Sequence, residues 1–137
     1  MELREKILKV IGGPHAAAVA TLDGKQPAVR FMLLTGFPDM TLVGGTLKTS
    51  RKVVQLQKNP DVAIAVWSGK EFTDPYVEIR AKVELLADAA AKKKYWSPAF
   101  VQYFRSVDNP EFIILKFTAA EIAYYVPSNR TKEIWKR

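Results

Sequence analysis

Thr46-Leu47-Lys48-Thr49-Ser50-Arg51-Lys52 sets two cations where a helix is about to begin. Ser50 is a favourable N-cap, and Val53, Val54 and Leu56 start an apolar helical face that runs to Asn59, where Pro60 stops it. The cations sit at the unfavourable end. A helix N-terminus already carries about half a positive charge, so Arg51 and Lys52 each lose ~0.3–1 kcal/mol there unless an anion neutralises them. A phosphate would do so, because free N–H groups, the hydroxyls of Thr46, Thr49 and Ser50, and two cations would converge on it. Each charge-assisted hydrogen bond is worth about 1.5–3 kcal/mol. An ordinary capped surface helix with solvated cations fits the same seven residues.

The rest of the chain restricts the classes of partner. Its 137 residues, 48% hydrophobic and 26% charged, read as one globular domain over residues 1–137. No apolar run approaches the roughly 18 residues of a membrane span. The start, Met-Glu-Leu-Arg-Glu-Lys, has mixed charge and none of the layout of a signal peptide, so a cytoplasmic protein is expected. Without cysteine there is no disulfide framework, thiolate nucleophile or sulfur-ligated metal. A net charge of +7 favours anionic partners, whether nucleic acid, acidic membranes or phosphorylated small molecules. Lys92-Lys93-Lys94, after three alanines, reads as the solvated face of a helix.

Apolar periodicity predicts a helix over residues 2–11, ended by Gly12-Gly13-Pro14. Residues 16–22 and 27–34 read as a hairpin about Asp23-Gly24. Phe37-Pro38-Asp39 turns into a strand over 40–44. Gly44-Gly45 then marks close approach by a ligand, a bulge or a strand end. Strands follow at 62–67 and 76–86, with Val77, Ile79, Ala81 and Val83 on one face, separated by a polar loop at 69–75. A helix over 88–95 capped by Asp88, a short one from Ser97-Pro98 toward Phe104, and a turn at Asp108-Asn109-Pro110 come next. Two strands, 112–118 and 121–126, precede a basic tail over 127–137 that holds Ile134 and Trp135. Six to seven antiparallel strands with short helices predict a mainly β barrel.

This order resembles the flavin-binding split barrels of the pyridoxamine 5′-phosphate oxidase-like family, in particular its short, general-stress-protein-like branch. The likeness covers residues 16–126. It rests on Arg30-Phe31-Met32-Leu33-Leu34, followed by Thr46-Leu47-Lys48-Thr49-Ser50-Arg51-Lys52 opening a helix, the Asn59-Pro60 stop and an apolar strand. By that resemblance Arg30, Ser50, Arg51 and Lys52 hold the phosphate of FMN, and Met32, Leu33 and Thr46 lie along its ribityl chain or ring. The resemblance also implies a homodimer with a flavin at each end of the interface, each ring partly covered by the second chain. Trp96, Tyr103, Phe104, Tyr125 and Trp135 are candidates for that cover, with Trp96 and Trp135 chosen; core or dimer packing suits the same aromatics.

The sequence departs from the oxidase itself. Thr35 stands where the oxidase usually carries a lysine, Arg80 stands near a position that is often glycine, and the C-terminal arginine and histidine motif is replaced by Glu133-Ile134-Trp135-Lys136-Arg137. Vitamin B6 oxidation is therefore not expected. The implied function is FMN-dependent electron transfer through flavin N5 to a small substrate, with no protein nucleophile or base required. F420 is the alternative cofactor on the same fold. Haem would have only His15 as a histidine ligand, and a serine hydrolase would need His15 too, without a serine elbow around it. A basic barrel binding nucleic acid through Lys48, Arg51, Lys52, Arg130, Lys132, Lys136 and Arg137 is the competing reading, and a nucleic-acid partner is the less expected one.

Overall fold

The computed structural model describes residues 1–67 and 69–137. Helix α1 (Leu3–Ile11) precedes strands β1 (Gly13–Asp23), β2 (Gln26–Gly36) and β3 (Thr41–Leu47), then helix α2 (Arg51–Lys58) and strands β4 (Asp61–Trp67) and β5 (Tyr76–Leu86). Helices α3 (Ala89–Lys94) and α4 (Val101–Phe104), with a 3-10 turn at Pro98–Phe100 between them, lead to β6 (Phe112–Val126) and β7 (Thr131–Lys136). The strands run antiparallel in the order β3-β2-β1-β4-β5-β6-β7, and a further pairing of β3 with β6 closes six of them into a barrel. The fold is the mainly β split barrel that the sequence predicts, with β7 as a seventh strand.

Local sequence explains the elements. Asp23 pairs with Gln26 around a two-residue loop in which Gly24 takes φ +62°, the left-handed conformation such hairpins need. In β4, apolar throughout, Val62, Ile64 and Val66 enter the core while Ala63, Ala65 and Trp67 stay outside. In β5, Val77, Ile79, Ala81 and Val83 all face the core. They meet Ile113, Leu115 and Phe117 of β6 and Ile7, Val10 and Ile11 of α1. Full burial of such a side chain contributes about 1.5–3 kcal/mol.

Three expectations are corrected. Residues 112–118 and 121–126 are one fifteen-residue strand, because the link read between them is a bulge: Ala81 pairs with Ala119 and Arg80 with Glu121, which leaves Ala120 as the extra residue. The tail beyond Pro127 is largely strand β7, paired with β6 from Glu121↔Lys136 to Val126↔Thr131. Its alternation was masked by the density of charge. Lys92 is not solvated: it is 8% exposed, donates to the Asn109 carbonyl at 2.8 Å and lies 5.5 Å from the Phe112 ring centroid. The side chain runs under the α4–β6 connection instead of out into water.

A second cluster lies outside the barrel wall. Val43, Phe100, Phe104, Phe112 and Ile114 pack under the helical insertion, with Trp96 edge-on to Phe100 and Phe112 at 5.6 and 5.3 Å. This cluster occupies the space that Gly45 frees: a Cβ there would stand 2.7 Å from Phe112 and 2.9 Å from Phe104. Gly45→Ala is expected to lower stability by about 1–3 kcal/mol through overpacking, measured by chemical denaturation.

Candidate functional site

The barrel is split between β2 and β3. They pair only at Thr35↔Val43 and Gly36↔Leu42, after which β3 follows β6 and the earlier part of β2 has no strand on that side. The gap opens into a cavity of about 410 Å³. Met32 and Leu33 of β2 form one wall, Gly45 and Thr46 of β3 the floor, and Phe100, Tyr103 and Phe104 the opposite wall. Ser50 and Lys52, at the start of α2, make its polar corner.

That corner is built from few bonds. Lys52 Nζ donates to Thr46 Oγ1 at 3.0 Å, and the Thr46 and Ser50 hydroxyl oxygens are 3.2 Å apart. Ser50 occupies the N-cap position with extended backbone but makes no capping bond with its side chain. Its hydroxyl turns toward Thr46, and with the Val53 N–H donating to the Ser50 carbonyl at 3.2 Å, the Arg51 and Lys52 N–H groups at the start of α2 are left to another acceptor. Behind it, Arg30 donates to Thr21 Oγ1 at 2.7 Å, to the Val19 carbonyl at 3.2 Å and to Gln55 Oε1 at 3.0 Å, while Thr21 donates to Gln55 at 2.6 Å.

The electrostatics follow. Burial, and then the charge of Arg30, hold the Lys52 ammonium below its ordinary pKa of 10.5. Burial also lowers Arg30, which stays protonated because a guanidinium starts so high. The ion pairs found among the described residues, Lys6–Glu133, Arg80–Glu121 and Lys82–Asp61, involve neither cation. Hydroxyls and an amide hold the two charges, and an anion is the missing complement. A phosphate monoester fits this donor set: an ammonium, two hydroxyls and helix N–H groups, with no carboxylate to repel it.

The structure thus brings Met32, Leu33, Thr46, Ser50 and Lys52 around one cavity, with Arg30 outside its lining, bonded to Thr21 and Gln55. Arg51 is exposed in the first turn of α2 and does not line the cavity. Trp96 lies behind the wall among Phe100 and Phe112, and Trp135 packs on the barrel core with Arg137 over its ring; neither lines the cavity. Thr21, Gln55 and Phe100 were not anticipated. Gln55, a polar residue on an apolar helix face, was the available signal, whereas Thr21 needed the β1–β2 register. His15 has Nε2 2.7 Å from the Gly12 carbonyl oxygen and is not among the cavity residues.

Comparison with known proteins agrees with this architecture. The pyridoxamine 5′-phosphate oxidase family model matches residues 3–125, from α1 into the end of β6. No curated protein matches the chain. Among solved structures, general stress protein 26 from Bacillus anthracis superposes with a TM-score of 0.85 at 23% identity, covering 100% of both chains. A pyridoxamine 5′-phosphate oxidase-related, FMN-binding protein from Nostoc punctiforme gives 0.64 at 16% identity, over 90% of this chain and 86% of that one. An F420 reductase gives 0.67 at 17% identity, over 84% and 94%. At these identities the structures share the fold, and the family match covers most of the sequence. No helix among the described residues is long and apolar enough to cross a membrane. From its first helix to its sixth strand, the chain belongs to the pyridoxamine 5′-phosphate oxidase family.

Proposed function

We propose that this chain is an FMN-binding flavoprotein that acts as a homodimeric oxidoreductase on a small molecule. One observation carries the reading: Lys52, partly buried, stands with the Thr46 and Ser50 hydroxyls in the corner of an apolar cavity, Arg30 lies behind it, and neither cation is in an ion pair found among the described residues. Lys52, Ser50, Thr46 and the start of α2 would hold the phosphate. Arg30 adds positive field from behind, and Met32, Leu33, Phe100 and Phe104 offer apolar surface for a ring. The family match and the FMN-binding Nostoc structure with the same fold support this assignment.

A bound flavin supplies hydride transfer at N5, and the chain's own work is to bind, orient and exclude water. The Lys52–Thr46 bond fixes the ammonium at the cavity edge, and the Arg30–Gln55–Thr21 network keeps the second cation from swinging into solvent. F420 also carries phosphate and would use the same corner; the F420 reductase of this fold keeps that cofactor as the second reading.

Mass spectrometry of small molecules released on denaturing freshly purified protein is expected to find FMN near one per chain. F420 instead keeps the site and moves the activity to a deazaflavin reductase; neither, with no uptake of added FMN, overturns the proposal. Lys52→Ala removes a charge-assisted contact worth about 1.5–3 kcal/mol, a loss of roughly 10–100-fold in FMN affinity by fluorescence titration. Arg51→Ala, exposed, is expected to cost only ~0.3–1 kcal/mol, a few-fold. Affinity should also fall at high pH. Because Lys52 loses its proton below 10.5, binding is strongest beneath that lowered pKa and declines as pH rises through it; bound phosphate, favouring the ammonium, draws the pKa back up. A pH-independent constant across the alkaline range would remove Lys52 from the phosphate site.

A further inference from the structure

Lys52 stands in the corner of the cavity and Arg30 behind it, and Arg30 is gripped without an acid. Its Nη1 donates to Thr21 Oγ1 at 2.7 Å and to the Val19 carbonyl at 3.2 Å, and its Nη2 donates to Gln55 Oε1 at 3.0 Å. A guanidinium only donates, so the Gln55 atom that faces it is the oxygen. Thr21 gives its own proton to that same oxygen at 2.6 Å and therefore accepts from Arg30. Thr21 is 3% and Gln55 8% exposed. Hydroxyl and amide together reproduce the two-pronged acceptor that a carboxylate offers a guanidinium, without its charge.

We infer that Gln55 is the positioning residue that sets the charge specificity of the phosphate corner, a role that rests on the flavoprotein reading above. By holding Arg30 through a neutral oxygen it keeps both positive charges available to a ligand. The corner then selects a dianionic phosphate monoester over a phosphodiester or an unphosphorylated flavin.

Position 55 decides this because it meets both cations. Gln55 bonds Arg30 directly, and it follows Lys52 by three residues, on the same face of α2. The two charges act on each other: burial, and then Arg30, hold the Lys52 ammonium below its ordinary pKa. The first turn of α2 contains no acid, and the ion pairs found among the described residues involve neither cation. A phosphate monoester carries about −1.5 to −2 charges at pH 7 and matches the pair. A diester carries a single charge and leaves one cation of a partly buried site without its complement. Glutamate at position 55 would keep every hydrogen bond of the clamp and cancel one of the two charges, so this one side chain separates grip from charge.

A charge series of flavins, titrated by fluorescence, tests the role: riboflavin, uncharged; riboflavin 4′,5′-cyclic phosphate, a monoanionic diester; and FMN. In the unaltered protein affinity is expected to rise at each step, by about tenfold or more from the cyclic ester to FMN. Gln55→Glu is expected to bind riboflavin unchanged and to lose the last step, so that FMN binds no more than about threefold tighter than the cyclic ester, while resistance to urea is kept or raised. Gln55→Met gives the converse. It releases two donors and lowers resistance to urea, but it keeps the charge and with it the FMN step. A purely structural Gln55 would make affinity follow stability in both variants and move all three flavins together, and that result overturns the role. So does a Gln55→Glu protein that retains the last step, or an unaltered protein that binds the three flavins equally; in either case the flavin reading stands. If Gln55→Glu does not fold, Thr21→Asp sets the carboxylate on the other prong of Arg30 and is expected to lose the same step. An unaltered protein that takes up none of the three flavins overturns the underlying reading instead.

Discussion

The barrel depends on β6, a single strand that has to serve three neighbours. Along one edge it follows β5 throughout; along the other its first half holds β3 and its second half β7. The change of partner occurs at Ala120, where the bulge adds twist and releases the strand from one neighbour to meet the next. The junction is fastened by Arg137: its backbone N–H donates to the Ala120 carbonyl, and its side chain donates to the carbonyls of Ala119, Asp39 and Met40. Met40, fully buried at φ +63°, is thereby tied into the turn that starts β3. Closure on this side frees the opposite seam to stay open.

That open seam is where the chemistry collects. A fully zipped β2–β3 pair would consume the strand edge and leave no room between Met32 and Thr46. Parting after two residue pairs creates a cavity without unsatisfied buried side-chain polar atoms, and none is found among the described residues. The charged corner also shows how a small domain holds two cations together. Arg30 is anchored by three acceptors, none of them charged, and Lys52 by one hydroxyl. A carboxylate at Gln55 would satisfy the same donors more strongly. It would also cancel the field that makes the corner attractive to an anion.

The fold was legible because its signals are local: Gly24 in a two-residue turn, Pro60 behind a short helix, and alternation in β5. Failures came where a tertiary partner overrode local pattern. Ala119-Ala120 reads as a link, yet the pairing continues through a bulge; β7 reads as a basic tail because its cations project from a strand that only β6 reveals; Lys92 reads as solvated because nothing in sequence announces Asn109 beneath it. At the site, the charge anomaly at the start of α2 was readable from helix electrostatics, and it led to a corner where Ser50, Thr46 and Lys52 converge. The inward network of Thr21, Arg30 and Gln55 was not, since it joins three elements distant in sequence.

Residues 30–34 carry a constraint of another kind. Along this stretch of β2, Arg30, Met32 and Leu34 point to the side of the strand that faces the core and the cation corner, and Phe31 and Leu33 to the other. One edge of the strand is committed to β1 by eleven consecutive pairs. A substitution alters one of these environments at a time. An insertion or deletion of a single residue exchanges them all, sending the arginine outward and the phenylalanine toward the buried glutamine. Across descendants of this sequence, the stretch can drift in composition, but its length is effectively frozen, and gaps should accumulate in the connections instead, above all at 69–75 and at 127–130.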